Sequence, residues 1–334
     1  MAKYTRGEDR DELLADVAEM YYEKGLTQAE ISRSVKVTRS AISRMLEEAR
    51  QKGIIEIQVR RPVRFDPGLE AKLEDRFRLQ KAHVLVWTKE NQYDMLRERL
   101  GSLAARVLNE SIRPNMTIGV AWGTTVKATI DALVVKNQMP VQVVQLVGVL
   151  GSSTHSSNAQ VLVQKLANKL GGEGIYLYTP FLVEDEETVR ALMNVNSISK
   201  AIASGRQCDL ALLGIGTTEP DFSSLYQGGH ISRQVLEDLR HAGAVGDVSG
   251  HHFNIQGGRS EIDLHYRTVA ISREDLLNIP IRLGVAGGKA KAAAIVGALR
   301  GNYINVLVTD SQTAEEVLKA VDMENQVNER ITSY

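Results

Sequence analysis

With 334 residues, 43% hydrophobic and 24% charged, the chain has an ordinary globular composition and is too long for one core of usual size, so two domains are expected. A formal net charge of −1 excludes a polycation, and any affinity for nucleic acid has to come from a local patch. The single cysteine, Cys208, excludes an internal disulfide and a cysteine-built metal cluster; the apolar runs, such as 141–150, are far too short to span a bilayer; and the charged N-terminus lacks a signal-type apolar core, so a cytoplasmic protein is expected.

The first predicted element is an amphipathic helix over 8–23, with Leu13, Leu14, Val17, Ala18, Tyr21 and Tyr22 on one side and Gly25 at its end. The stretch 27–46, TQAEISRSVKVTRSAISRML, then reads as helix, sharp turn, helix. Thr27 with Glu30 three residues on forms a capping-box pattern, and Thr38 is placed to cap the second helix. Val37, Ile42, Met45, Leu46 and Ala49 make that helix's buried side, which leaves Arg39, Ser40, Ser43, Arg44 and Glu47 outside. Short hydroxyls and long cations are the side chains that reach base edges and phosphates in a major groove. The pair resembles a helix-turn-helix, with residues 39–50 as the recognition helix and Thr27, Gln28, Thr38, Arg39, Ser40, Ser43 and Arg44 as candidate DNA contacts. From Arg33 to Lys52 there are six Lys or Arg and two Glu, an excess of four positive charges. Lys36 stands in the turn where Gly is common, and a left-handed conformation there costs roughly 1–2 kcal/mol for a non-glycine residue. The strand-like run IIEIQV after Gly53 fits a wing, so residues 1–61 are expected to form a winged helix-turn-helix domain.

Residues 62–67, with Pro62, Arg64 and Pro67, read as a stiff basic linker, either laid along a DNA backbone or simply a solvated hinge. In the next helix Leu69, Leu73 and Phe77 recur every four residues and face either the second domain or a partner chain. From Ala82 onward, seven strand-like runs (AHVLVW, MTIGVAW, VQVVQLVG, GIYLYTP, DLALLGIG, IPIRLGVAGG, YINVLVTD) alternate with helical segments at 93–110, 124–137, 159–170, 234–241, 289–300 and 314–321. Apolar strands alternating with amphipathic helices predict an α/β fold with a parallel sheet covered on both faces, over 68–334, with a polar tail after Val321 expected to fray.

Ligands of such sheets bind at the carboxyl ends of the strands, and there four glycine-bearing loops occur: Gly123-Thr124-Thr125, Gly151-Ser152-Ser153, Gly214-Ile215-Gly216 and Gly287-Gly288-Lys289-Ala290-Lys291. Backbone N–H groups and hydroxyls at helix N-termini suit a phosphate. Lys289 and Lys291 oppose the dipole of the helix they precede, which a bound anion would offset. Asp247, in GAVGDV, is placed either to accept sugar hydroxyls or to cap a turn. His251-His252 lacks the surrounding ligand spacing of a metal site, and His155 faces either pocket or solvent. Neither a metal nor a cofactor is expected.

Together, YYEKGLTQAEIS, TRSAISRMLEEARQKGIIEI, GVAWGTT, LLGIG, GAVGD and LGVAGGKAKAAAIVGALRGNYINVLVTD resemble the SorC-type, or DeoR-like, sugar-binding transcriptional regulators over about 8–320. The resemblance implies a C-terminal Rossmann-like domain similar to phosphosugar isomerases and glucosamine-6-phosphate deaminases. Within it, Gly123, Thr124 and Thr125 match the first phosphate loop and Gly151, Ser152 and Ser153 the second, Asp247 matches the residue at the sugar hydroxyls, and Lys291 the lysine at the ligand. Gly216, Gly287 and Gly288 complete the expected effector site. The segment 250–253, GHHF, departs from the more aromatic pattern of the family. The expected function is a DNA-binding regulator of carbohydrate genes, a repressor, acting as a homodimer or homotetramer on operator DNA under control of a phosphorylated sugar, without catalytic residues or a membrane. The alternative is a sugar-phosphate isomerase or deaminase with an added DNA-binding domain, for which Asp247 would be the base and His155 or Glu219 the acid.

Overall fold

The computed structural model describes residues 8–55, 64–89, 92–151 and 157–332. The chain forms two compact units that divide between Pro62 and Val63.

The first unit contains α1 (Glu8–Tyr22), α2 (Gln28–Val35) and α3 (Arg39–Gln51). Its core is small: Leu14, Val17, Ala18, Ile31, Ile42, Met45, Leu46 and Ala49 are buried together. The expected capping box is formed, with Glu30 N–H donating to Thr27 Oγ1 at 3.3 Å and Thr27 N–H to Glu30 Oε2 at 2.8 Å. Lys36 takes the left-handed conformation at φ 58°. Two bonds hold that turn: Val37 N–H donates to the Ser32 carbonyl at 3.2 Å, and Ser32 Oγ donates to the Val37 carbonyl at 2.6 Å. Ile54 and Ile55 pack on the same core, while the rest of the expected wing strand lies outside the described residues.

The second unit contains α4 (Pro67–Phe77), β1 (Lys81–Leu85), α5 (Tyr93–Ser111), β2 (Thr117–Val120), α6 (Thr124–Ala132), β3 (Gln142–Gln145), α7 (Ala159–Leu170) and β4 (Glu173–Ile175). It continues through α8 (Glu186–Met193), α9 (Asn196–Arg206), β5 (Leu210–Gly214), β6 (Gly216–Thr217), α10 (Ser224–Gln227), α11 (Arg233–His241), β7 (Gly246–Val248) and β8 (His251–Phe253). It closes with α12 (Arg273–Asn278), β9 (Ile281–Val285), α13 (Ala292–Arg300), β10 (Val306–Asp310) and α14 (Ser311–Thr332). All seven predicted strand runs enter one parallel sheet, in the order β1-β10-β9-β5-β2-β3-β4. Successive strand residues alternate between two cores, as a sheet covered on both faces requires. Leu210 and Leu212 pack with α5, α6 and α7, whereas Ala211 and Leu213 pack with α4, α13 and α14.

Several boundaries differ from the sequence reading. The linker assigned to 62–67 does not extend that far: Asp66 N–H donates to Val84 O, Val86 N–H donates to Arg64 O, and Asp66 caps α4, so 64–67 belongs to the second unit. Leu69 and Leu73 of α4 are buried in this unit's own core. The helix predicted over 124–137 ends at Ala132. The predicted helix at 289–300 splits into a 3-10 turn, Lys289–Lys291, and α13. The tail expected to fray after Val321 continues as helix to Thr332. A small antiparallel sheet, β6-β7-β8, was not foreseen; its β7–β8 hairpin turns through Ser249 and Gly250 with φ of 53° and 80°, the pair of positive values a tight two-residue hairpin needs.

Candidate functional site

On the first unit, Arg39, Ser40, Ser43, Arg44 and Glu47 all lie exposed on one side of α3. Arg39 and Arg44 have no ion-pair partner among the described residues, whereas Arg10 is paired to Glu48 at 2.5 Å and Lys52 to Asp11 at 2.6 Å. Two of the candidate contacts, Thr27 and Thr38, form the caps expected of them. Thr27 Oγ1 accepts from Glu30 N–H and donates to Glu30 Oε2, and Thr38 Oγ1 accepts from Ala41 N–H. Their hydroxyls therefore set the ends of α2 and α3. Gln28 is half-buried at the start of α2.

In the second unit, the chain leaves β2 for β3 on one side, while β5 pairs on its other side. This reversal of strand order opens a crevice at the carboxyl ends of β2 and β5, the place where open α/β sheets bind ligands. The strand-end loops there are cross-tied. Thr125 Oγ1 donates to the Val285 carbonyl at the end of β9 (2.9 Å), and Lys291 Nζ donates to the Ile215 carbonyl just after β5 (2.8 Å). Lys291 is only 6% exposed, so its stem is buried and its ammonium is delivered to the β5 end. Asp247, equally buried, is paired with Gly216 across β6 and β7, and a Cβ on residue 216 would stand 1.9 Å from Asp247 Oδ1. Glycine at 216 is thus the condition for that carboxylate's position. Asp247 Oδ2 accepts from Gly250 N–H at 3.2 Å.

Thr125 is corrected from a ligand group to a clamp, since its hydroxyl is buried and committed to β9. Gly287 and Gly288 are likewise structural: a Cβ at 287 would meet Asp310 Oδ2 at 2.5 Å, and Gly288 N–H donates to Asp310 Oδ2 (3.0 Å) and Thr313 Oγ1 (2.7 Å). Lys289 and Lys291 precede α13 rather than sitting inside it, and Lys291 has a carbonyl partner of its own. Ser152, Ser153 and His155 lie outside the described residues.

The remaining residues open onto three cavities. Gly123 and Thr124 line one of 280 Å³, Gly151 one of 640 Å³, and Gly288, Lys289 and Lys291 a third of 360 Å³ walled by Trp87, Tyr93 and Phe222. The segment 219–231 borders all three, through Phe222 in the third and His230 in the first two. Sequence reading took from it only Glu219 and passed over the rest, whose signal was a glycine pair, Gly228-Gly229, in a run without periodicity. The His230 ring needs small residues around it, because a Cβ at Gly228 or Gly151 would lie 2.8 or 3.1 Å from it.

Behind Asp247 lies a histidine cluster. His251 Nε2 donates to the Ile271 carbonyl at 2.9 Å, and burial pushes this ring's pKa down to about 4. His265, beside His252 at 5.7 Å between centroids, is pushed down to about 3 by burial first, and then by the neighbouring His252 and Arg259. No helix among the described residues is long and apolar enough to cross a membrane.

The fold and its strand-end crevice define an α/β domain of the ligand-binding class. The sugar-binding domain family matches residues 61–319. The chain is 31% identical to transcriptional regulator LsrR of Escherichia coli (strain K12) over 322 residues, covering 94% of this chain and 97% of LsrR. It is 28% identical to the deoxyribonucleoside regulator of Bacillus subtilis (strain 168) over 310 residues, covering 93% and 98%. The crystal structure of the full-length sorbitol operon regulator SorC from Klebsiella pneumoniae matches with a TM-score of 0.69 at 27% identity, covering 93% of this chain and 99% of SorC. The chain belongs to this family of sugar-binding transcriptional regulators.

Proposed function

We propose that the chain is a DNA-binding transcriptional regulator, acting as a repressor of carbohydrate-metabolism genes, whose second unit binds a phosphorylated sugar or sugar alcohol. The observation that supports this reading is that Lys291 and Asp247, buried residues of separate loops, are both held beside the end of β5, Lys291 on the Ile215 carbonyl and Asp247 against Gly216. In that reading the N–H groups opening α6 receive the phosphate, Lys291 adds a fixed positive charge from its place on the Ile215 carbonyl, and Asp247 accepts sugar hydroxyls. Arg39 and Arg44 meet DNA phosphates and base edges, with Ser40 and Ser43 beside them. A single small unit presents few base contacts, so the regulator works as a homodimer or homotetramer on an inverted repeat. Effector acts only by binding one arrangement of that oligomer better than another, because equal affinity shifts nothing.

We further propose that the chain turns over no substrate. Acid–base catalysis needs a donor opposite Asp247, and Glu219, one expected acid, is an exposed residue ion-paired to Arg240 at 3.7 Å. The test is calorimetry on wild type and Lys291→Ala, using ribose 5-phosphate, glucose 6-phosphate and both unphosphorylated sugars. A charge-assisted hydrogen bond is worth roughly 1.5–3 kcal/mol, so Lys291→Ala is expected to weaken the phosphate ester roughly ten- to a hundredfold. Parents binding as tightly as esters would overturn the anion site.

A further inference from the structure

The 360 Å³ cavity shares no lining residue with the 280 Å³ cavity beside Gly123 and Thr124, and neither Gly216 nor Asp247 lines it. It is built at the carboxyl ends of β1, β9 and β10. Trp87 and Tyr93 come from between β1 and the first turn of α5, the 288–291 turn follows β9, and Gln312 follows β10. Its wall is held in place. Trp87 N–H donates to Ser311 Oγ at 3.0 Å, and that hydroxyl donates to the Trp87 carbonyl at 3.3 Å. The Tyr93 and Phe222 rings meet edge-on, 5.7 Å between centroids. The Gly288 backbone lies against Tyr93, since a Cβ there would stand 3.0 Å from the ring.

Two features of the lining define what fits. The first is apolar surface. Trp87 and Leu96 are buried, whereas Phe222 is 40% exposed and has ring surface left to cover. The second is charge. Lys89, Lys289 and Lys291 line the cavity, and no carboxylate does among the described residues. Lys291 is committed to the Ile215 carbonyl. The Lys289 ammonium has no partner among the described residues, and Lys89 donates there only to the Met95 thioether at 3.6 Å, a weak acceptor. Like charges gathered on one cavity repel, and a bound anion offsets that repulsion.

A sugar matches this lining poorly. Its hydroxyls need several donors and acceptors, yet the neutral polar side chains here are Gln92 and Gln312, and no acid stands by as Asp247 does in the crevice. A flat ring suits aromatic walls, and a carboxylate or phosphate on that ring suits a lysine. A volume of 360 Å³ falls within the roughly 300–1,000 Å³ usual for small-molecule pockets, at the small end.

We infer that this cavity is a second ligand site, for a small aryl anion: an aromatic ring covers Tyr93 and Phe222, and its carboxylate or phosphate meets Lys289. The site is separate from the phosphorylated-sugar site and stands without it.

The experiment uses emission from the cavity itself. The chain has two tryptophans, so full-length Trp122→Phe leaves Trp87 as the reporter. This protein is titrated with benzoate, phenyl phosphate, benzyl alcohol and ribose 5-phosphate, alone and with Lys289→Ala or Phe222→Ala added, and thermal melts confirm that each variant is folded. At least one of the two aryl anions is expected to change Trp87 emission saturably, and the tighter of them tells carboxylate from phosphate. Benzyl alcohol, with the ring and no charge, is expected to bind roughly tenfold more weakly, and each added substitution to weaken the anion by about the same factor. Ribose 5-phosphate is expected not to compete. A saturable response to neither anion, benzyl alcohol binding as tightly as both, or both substitutions leaving the anion's affinity unchanged would overturn the site, with the sugar-phosphate reading untouched. Displacement of the aryl anion by ribose 5-phosphate would overturn its separateness and assign the cavity to the sugar-phosphate site.

Discussion

The two units handle charge in opposite ways. On the first, Arg39 and Arg44 stand exposed and without ion partners among the described residues, while Arg10 and Lys52 are neutralised by Glu48 and Asp11. In the second, Lys291, Asp247 and Asp310 are buried and bonded to the backbone of neighbouring loops. A surface that binds a polyanion gains by releasing counterions, so its cations have to be solvated and uncommitted. A small-molecule site gains by holding its groups in place beforehand, so its cations and acids are fixed by the fold. The units also differ in what titrates near neutral pH and in tryptophan fluorescence: all seven histidines and both tryptophans lie in the second.

The largest expected separation of the two comes from pH. His251 has a folded pKa of about 4 against an ordinary 6.5, so the unfolded chain binds the extra proton first. The stability this group contributes is therefore fully present above 6.5 and is lost as pH falls from 6.5 toward 4, at roughly 1.4 kcal/mol per pH unit. His265 acts in the same direction. Tryptophan fluorescence reports the second unit alone, and its melting temperature is expected to drop between about pH 7 and about pH 5. An unchanged tryptophan-reported transition over that range contradicts the buried neutral cluster.

Next in size is Gly216→Ala. Its Cβ would occupy the position of Asp247 Oδ1, and forced overpacking of this kind costs roughly 1–3 kcal/mol. Effector affinity is expected to fall about ten- to a hundredfold by calorimetry, with effector-free DNA binding retained. Arg39→Ala is its counterpart on the other unit. It should cost roughly 1–3 kcal/mol on the specific duplex and little on random DNA, read by fluorescence anisotropy, with effector binding untouched. The smallest effect is Thr38→Ala. Removing the N-cap of α3 is expected to lower the stability of the first unit by about 1 kcal/mol in a denaturant titration, and a larger loss of DNA affinity than this accounts for would return Thr38 to the interface.

How much of this was legible in the sequence follows from the same contrast. A recognition helix is local: its period, its caps and its outward residues lie within about one stretch, and the caps at Thr27 and Thr38 form where the pattern placed them. The seven strands were equally readable, since each is an apolar run between turn residues. The site depends on residues far apart in the chain. Gly287 read as a ligand loop because nothing local shows that Asp310 fills the space a side chain would need. Thr125 read as a phosphate contact because its acceptor, the Val285 carbonyl, is 160 residues away. The β6-β7-β8 sheet and the 219–231 segment carry no strong period, so only tertiary packing reveals them.

The central claim is that anion capture in the second unit controls DNA binding by the first. It is tested most directly by fluorescence anisotropy on a duplex selected from random sequences by the full-length protein, titrated with and without the tightest-binding sugar phosphate, for wild type and Lys291→Ala. The account predicts that the sugar phosphate changes wild-type DNA affinity, that its unphosphorylated parent does not, and that Lys291→Ala binds the duplex as effector-free wild type does and responds only at roughly ten- to a hundredfold higher sugar phosphate. A wild-type protein that binds the sugar phosphate with no change in DNA affinity, or a Lys291→Ala protein that responds at wild-type concentrations, would contradict it.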